Sequence, residues 1–126
     1  MPSILCVDDE PTQLILLRFA FERAGFRVLS ANNGQEAVEL TNQHQPDLIL
    51  MDLMMPLMDG YQATAAIKSN PALSHIPIVL YTAYDQTELV AQAKAAGAAE
   101  VIRKTIPPKA LVSKINALLT SYQPES

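Results

Sequence analysis

The chain has 126 residues, 49% of them hydrophobic and 17% charged, which is enough for one closed core and too apolar for a disordered segment. A net charge of −4 gives no global positive field to hold a nucleic-acid backbone or an anionic membrane. The lone cysteine, Cys6, excludes an internal disulfide and any zinc site that needs several thiolates. The expectation is a single domain over residues 1–126, with a folded core to 122 and a short tail at 123–126, in a reducing, cytoplasmic setting.

Five short apolar runs follow in order: Ile4–Val7, Val28–Ala31, Leu48–Met51, Ile78–Tyr81 and Val101–Ile102. None alternates with polar residues, so each reads as a strand buried on both faces. No run approaches the ~18 apolar residues of a membrane span, and the start of the chain lacks the charged-then-apolar pattern of a signal peptide. Helical spacing fills the intervals, at Leu14, Leu17, Phe21 and Ala24, then Ala37, Val38 and Leu40, then Ala63, Ala66 and Ile67, then Leu89, Ala93 and Ala96, and finally Leu111, Ile115 and Leu118. Gly25, Asn33-Gly34 and Asn70-Pro71 punctuate the boundaries. Right-handed crossovers turn this βα alternation into an open, doubly wound parallel sheet covered on both faces. Ligands of such sheets sit beyond the carboxyl ends of the strands.

At those ends the residues are polar. The first strand leads into Asp8-Asp9-Glu10 and the third into Asp52, followed by Leu53, Met54 and Met55 and then Asp59-Gly60. If these two strands are neighbours, three carboxylates converge, and their repulsion calls for a cation between them. Mg²⁺ or Mn²⁺, as hard oxygen-seeking ions, suit such a set. The fourth strand ends in Thr82-Ala83 and the fifth leads to Lys104, which brings a hydroxyl, a backbone N–H and an ammonium to the same edge. Acids with a metal on one side and anion donors on the other describe a phosphoryl site. With no glycine-rich phosphate loop in the sequence, Asp52 is the expected covalent carrier of the phosphoryl group.

Through this ordered set, Asp8-Asp9, Asp52 with Met55-Pro56 and Asp59-Gly60, Thr82-Ala83 and Lys104, the sequence resembles the receiver domain of two-component response regulators over nearly its whole length. The resemblance implies a flavodoxin-like sheet in the order 2-1-3-4-5 with five helices. It implies that Asp52 accepts a phosphoryl group from a sensor histidine kinase or a histidine phosphotransfer protein, and that the switched chain then binds a downstream target protein. Asp9, Asp52 and the Met54 carbonyl would hold the metal directly, Asp8 mainly through water. Thr82, the Ala83 N–H and Lys104 would bind the phosphoryl oxygens. The expected role is that of a stand-alone signalling domain and not an enzyme.

Two positions depart from the family pattern, and two more bear on the lifetime of the phosphorylated state. Lys104 is followed by Thr105 where most receivers have proline, and since a non-proline cis bond costs about 2.5 to 4 kcal/mol, a trans bond is expected. Val101 stands where an aromatic ring usually moves with the threonine. Met54 and Tyr84 flank the path of the hydrolytic water in family members, so two bulky side chains there imply a long-lived phosphorylated state; Tyr84 is also a candidate substitute for the missing ring.

Competing readings remain at this stage. The chain could be a degenerate receiver that binds partners without phosphorylation. An aspartyl-phosphate phosphohydrolase would need a second acid two residues past its nucleophile, where this chain has Met54. A flavodoxin-type carrier would need a phosphate loop where this chain has three acids. Asp8-Asp9-Glu10 could simply cap a helix, and Met51, Met54, Met55 and Met58 are expected to serve packing and not a soft metal.

Overall fold

The computed structural model describes residues 1–55, 58–83 and 87–121, with only the backbone at 87–89. The elements alternate as β1 (Ser3–Val7), α1 (Pro11–Arg23), β2 (Arg27–Ala31), α2 (Gly34–His44), β3 (Leu48–Asp52), α3 (Gly60–Lys68), β4 (Ile78–Thr82), α4 (Thr87–Ala96), β5 (Glu100–Arg103) and α5 (Pro108–Ser121). All strand pairs are parallel and the sheet runs β2-β1-β3-β4-β5. Each apolar run became a strand, and each interval with helical spacing became a helix.

The period-2 geometry of a strand sends neighbouring side chains to opposite faces, which divides the core in two. Ile4, Cys6, Leu48, Leu50, Val79, Tyr81 and Ile102 pack with α1 and α5 residues such as Leu17, Phe21, Leu111 and Ile115. Leu5, Val7, Ile49, Met51, Ile78 and Leu80 pack with Ala37, Ala63, Ile67 and Ala93 from the other three helices. Burying each such large side chain contributes roughly 1.5–3 kcal/mol. Phe21 meets Phe26 edge to face at 5.1 Å, joining the end of α1 to the chain entering β2. Of the α3 pattern, Ala63 and Ile67 are buried while Ala66 is exposed, its expected place taken by Thr64.

Local chemistry ends the helices where the sequence signals them. Asn33 accepts the Glu36 N–H at 2.8 Å at the start of α2. Asp59 and Gln62 form a reciprocal capping box at the start of α3. Gly25, at φ +94°, takes the left-handed turn after α1 that a side chain would resist. Met51 and Met55 lie in the core, in keeping with the packing reading of the methionines. Among the described residues no peptide bond is cis, so Lys104–Thr105 is trans. No helix among them is long and apolar enough to cross a membrane. Pro56, Tyr84 and the expected tail at 123–126 lie outside the described residues.

Candidate functional site

Strand register assembles the site. Val7 pairs with Met51, so Asp8 and Asp52, each one residue further along, emerge side by side. Asp52 pairs in turn with Tyr81, and Thr82 with Arg103, which brings Lys104 to the same edge. A cavity of about 320 Å³ opens there, lined by Asp9, Glu10, Gln13, Asp52, Met54, Ala83 and Lys104. Asp8 and Asp52 are buried and Asp9 is exposed. Each of the three offers a carboxylate oxygen within 4.8 Å of the others.

Lys104 lies between two of these acids. Its Nζ is 3.1 Å from Asp8 Oδ2 and 3.2 Å from Asp52 Oδ1, while its backbone N–H donates to the Thr82 carbonyl at 2.7 Å. The other Asp8 oxygen accepts the Glu10 N–H at 2.9 Å. Glu10, at the N-cap of α1, makes no side-chain capping bond, so capping does not account for the acidic run. The Met54 N–H approaches Asp52 Oδ1 at 3.4 Å. Thr82 is buried at the end of β4, next to the cavity and outside its lining.

The electrostatics follow from one ammonium shared by Asp8 and Asp52, with the Asp9 carboxylate close by. Burial, then the nearby Asp8 carboxylate, push the Asp52 carboxyl up to about 6, against the lowering pull of Lys104. Burial works to depress the Lys104 ammonium, yet Asp52 and Asp8 outweigh it and hold its pKa above the ordinary lysine value. The set of three hard oxygen donors is the kind Mg²⁺ accepts, and the uncompensated negative charge is what such an ion would relieve. By contrast, burial pushes the Cys6 thiol up to about 12, which leaves it an inert core residue. His44 and His75 are both exposed on separate loops or helix ends.

A close approach holds the third strand's loop in place. Gly60 donates its N–H to the Leu53 carbonyl at 2.9 Å, and a Cβ at this position would lie 2.7 Å from the Asp52 carbonyl oxygen. Only glycine lets the start of α3 cross so near the end of β3.

The family model for the response regulator receiver domain matches residues 4–116. The chain belongs to the response regulator receiver family. Among curated relatives of this receiver, protein PilH of Pseudomonas aeruginosa is 38% identical over 94% of this chain and 98% of its own length. The polar-differentiation response regulator DivK of Brucella anthropi is 31% identical over 93% of this chain and 95% of its own. A solved structure, the signal receiver domain of a signal transduction histidine kinase from Syntrophus aciditrophicus, superposes with a TM-score of 0.89 at 33% identity, covering 100% of this chain and 96% of that one.

Asp8, Asp9, Asp52, Ala83 and Lys104, singled out from the sequence, meet at one edge of this receiver, with Thr82 buried beside them. Tyr84 lies outside the described residues. Val101 is half-buried opposite Leu80 and packs against the core under α2, α3 and α4. Two site residues escape a reading by strand ends. Gln13 lies in the first turn of α1 and reaches the cavity, and Tyr81 belongs to an apolar strand run. A phenol in a strand otherwise buried on both faces needs a polar partner, and that was the available signal.

Proposed function

We propose that this receiver accepts a phosphoryl group on Asp52 from a phosphohistidine of a sensor kinase or phosphotransfer protein, and that the phosphorylated form signals by binding a target protein. The observation that carries the reading is the Lys104 ammonium set at 3.1 and 3.2 Å between the buried Asp8 and Asp52, at the head of an open cavity. An Asp52 carboxylate oxygen attacks phosphorus as the bond to the donor nitrogen breaks, and the electron pair leaves on the imidazole. Lys104 is within reach to neutralise the transferred group, and the Thr82 hydroxyl and Ala83 N–H are the proposed donors to its oxygens. Asp9, Asp52 and the Met54 carbonyl would hold Mg²⁺ or Mn²⁺, with Asp8 acting through water. When bound, the ion neutralises charge shared by the acids and the phosphoryl oxygens.

Several features support the finer parts of this reading. PilH and DivK are matched over 98% and 95% of their own lengths, so these relatives hold little besides a receiver domain, which supports output through a change of protein partner. Ile15, Leu16 and Phe19 stand 60 to 68% exposed on α1, an apolar face of the kind protein partners cover. A cytoplasmic location fits a chain whose only described cysteine is a buried free thiol. Val101 offers no ring to follow Thr82, so switching here proceeds without an aromatic movement at that position. Met54, 59% exposed at the cavity, stands in the way of hydrolytic water and supports a long-lived phosphorylated state. Met54→Asn is expected to speed dephosphorylation, measured as decay of the phosphorylated mass.

Incubation with acetyl phosphate and Mg²⁺, followed by intact-mass measurement, tests the central claim. Wild type gains one phosphoryl group, and Asp52→Asn or chelation of the metal abolishes the gain. An unmodified wild type under these conditions would favour the degenerate-receiver reading.

A further inference from the structure

Lys104 has a third neighbour besides its two acids. Its Nζ lies 5.6 Å from the centroid of the Tyr81 ring, a distance at which an ammonium is attracted to an aromatic face. Tyr81 is 4% exposed, packed among the residues under α1 and α5. Its phenol oxygen accepts from Gln13 Nε2 at 3.4 Å, and Gln13 itself lines the cavity. A chain of contacts therefore runs from the first turn of α1, through the Tyr81 ring, to the ammonium at the site. This ring lies on the sheet face opposite that of Val101, because Tyr81 packs with the α1 and α5 core and Val101 with the other.

We propose that Tyr81 is a positioning residue for phosphoryl transfer to Asp52, its ring holding the Lys104 ammonium in place and Gln13 holding the ring. The inference rests on the phosphoacceptor reading above. A lysine carries a compact charge on a flexible four-carbon stem, and two carboxylates attract that charge without fixing the stem. The Lys104 side chain is 24% exposed, so water competes for it. A buried ring face beside the ammonium narrows the positions it samples and keeps it near the oxygen that attacks phosphorus. Tyr81 touches neither metal nor phosphoryl oxygen in this scheme; it acts through Lys104.

The test follows the second-order rate of phosphoryl uptake from acetyl phosphate with Mg²⁺, in which the Asp52 carboxylate takes the phosphoryl group and acetate leaves. Tyr81→Leu is expected to slow uptake about 3- to 10-fold, the range a partly desolvated cation–aromatic contact carries. Tyr81→Phe keeps the ring face and restores the rate to within about twofold of wild type, and Gln13→Ala, which loosens the ring without removing it, falls between the two. Carbon-edited proton NMR of the Lys104 ε-methylene reports how closely that group is held to the ring: its ring-current shift is kept in Tyr81→Phe and reduced in Gln13→Ala, where the ring remains and only its tether to α1 is lost. Val79→Ala, which removes core volume two residues upstream on the same face, lowers Tm and leaves the uptake rate unchanged. Uptake by Tyr81→Leu at the wild-type rate overturns the proposal, as does an equal loss in Tyr81→Phe and Tyr81→Leu. A wild type that takes up no phosphoryl group fails the phosphoacceptor reading itself, a result distinct from either.

Discussion

Strand β3 is bracketed by two aspartates that the fold uses in opposite ways. Asp47, just before the strand, is exposed and accepts the Ser3 N–H at 2.7 Å and the Ser3 hydroxyl at 3.2 Å, while its own N–H donates to the Ser3 carbonyl at 2.9 Å. Its charge is exposed and its bonds all go to Ser3, and the result is a clasp between β1 and β3. Asp52, five residues later, is buried beside a second carboxylate with one ammonium to share. The same side chain is satisfied at one end of the strand and left with an electrostatic deficit at the other. The proposed chemistry falls at the second end, because a group already in its lowest-energy environment has little to gain from a phosphoryl group or a metal.

The two aspartates differ most under acetyl phosphate. Asp52→Asn is expected to lose phosphoryl uptake entirely, while Asp47→Asn keeps it within about twofold of wild type, as surface changes usually do. Intact mass over time separates the two.

Stability against pH gives the next largest contrast. Asp52 holds its proton more tightly in the folded state, at about 6, than in the unfolded chain, where an aspartate titrates near 3.9. The native state therefore binds the extra proton between these values, and stability falls as pH rises through that window. This cost is absent below about pH 4 and complete above about pH 7, where it amounts to roughly 2 to 3 kcal/mol. Denaturation of metal-free protein should show Asp52→Asn gaining on wild type by about that amount from pH 4 to pH 7.5. Millimolar Mg²⁺ at pH 7.5 should raise the Tm of wild type and leave that of Asp52→Asn nearly unchanged, since an ion that binds only the folded acids stabilises by mass action.

Gly60→Ala sharpens the role of the loop beyond β3. A methyl 2.7 Å from the Asp52 carbonyl oxygen forces the backbone apart, at a cost of about 1 to 3 kcal/mol in chemical denaturation. Uptake of phosphoryl groups should slow as well, because the displaced atoms belong to Asp52, the proposed acceptor. The smallest effect is expected at Asp47→Ala, which loses the clasp to Ser3 for about 0.5 to 1.5 kcal/mol and leaves the site intact.

Much of this was legible in the chain itself. Unalternated apolar runs marked all five strands, because a parallel sheet covered on both faces has no polar side to show. Asn33 and Gly25 marked helix ends because capping and left-handed turns are local chemistry. The site acids and Lys104 could be singled out because charged residues directly after buried strands demand a partner. Gln13 and Tyr81 could not be placed so easily. A glutamine in a first helical turn and a tyrosine in an apolar strand are ordinary in sequence, and they matter only through what they meet in space.

The sequence by itself determined the order of elements, the two-sided burial of the sheet and the residue types available at its carboxyl edge, all of which depend on short-range pattern and burial. Tertiary structure alone decided that β1 lies against β3 in the register that sets Asp8 beside Asp52, that one ammonium serves both, and that the Tyr81 ring lies close to it. Those outcomes depend on pairings between residues 23 to 96 positions apart, where local propensity has no reach and only the packing of the whole sheet selects the geometry.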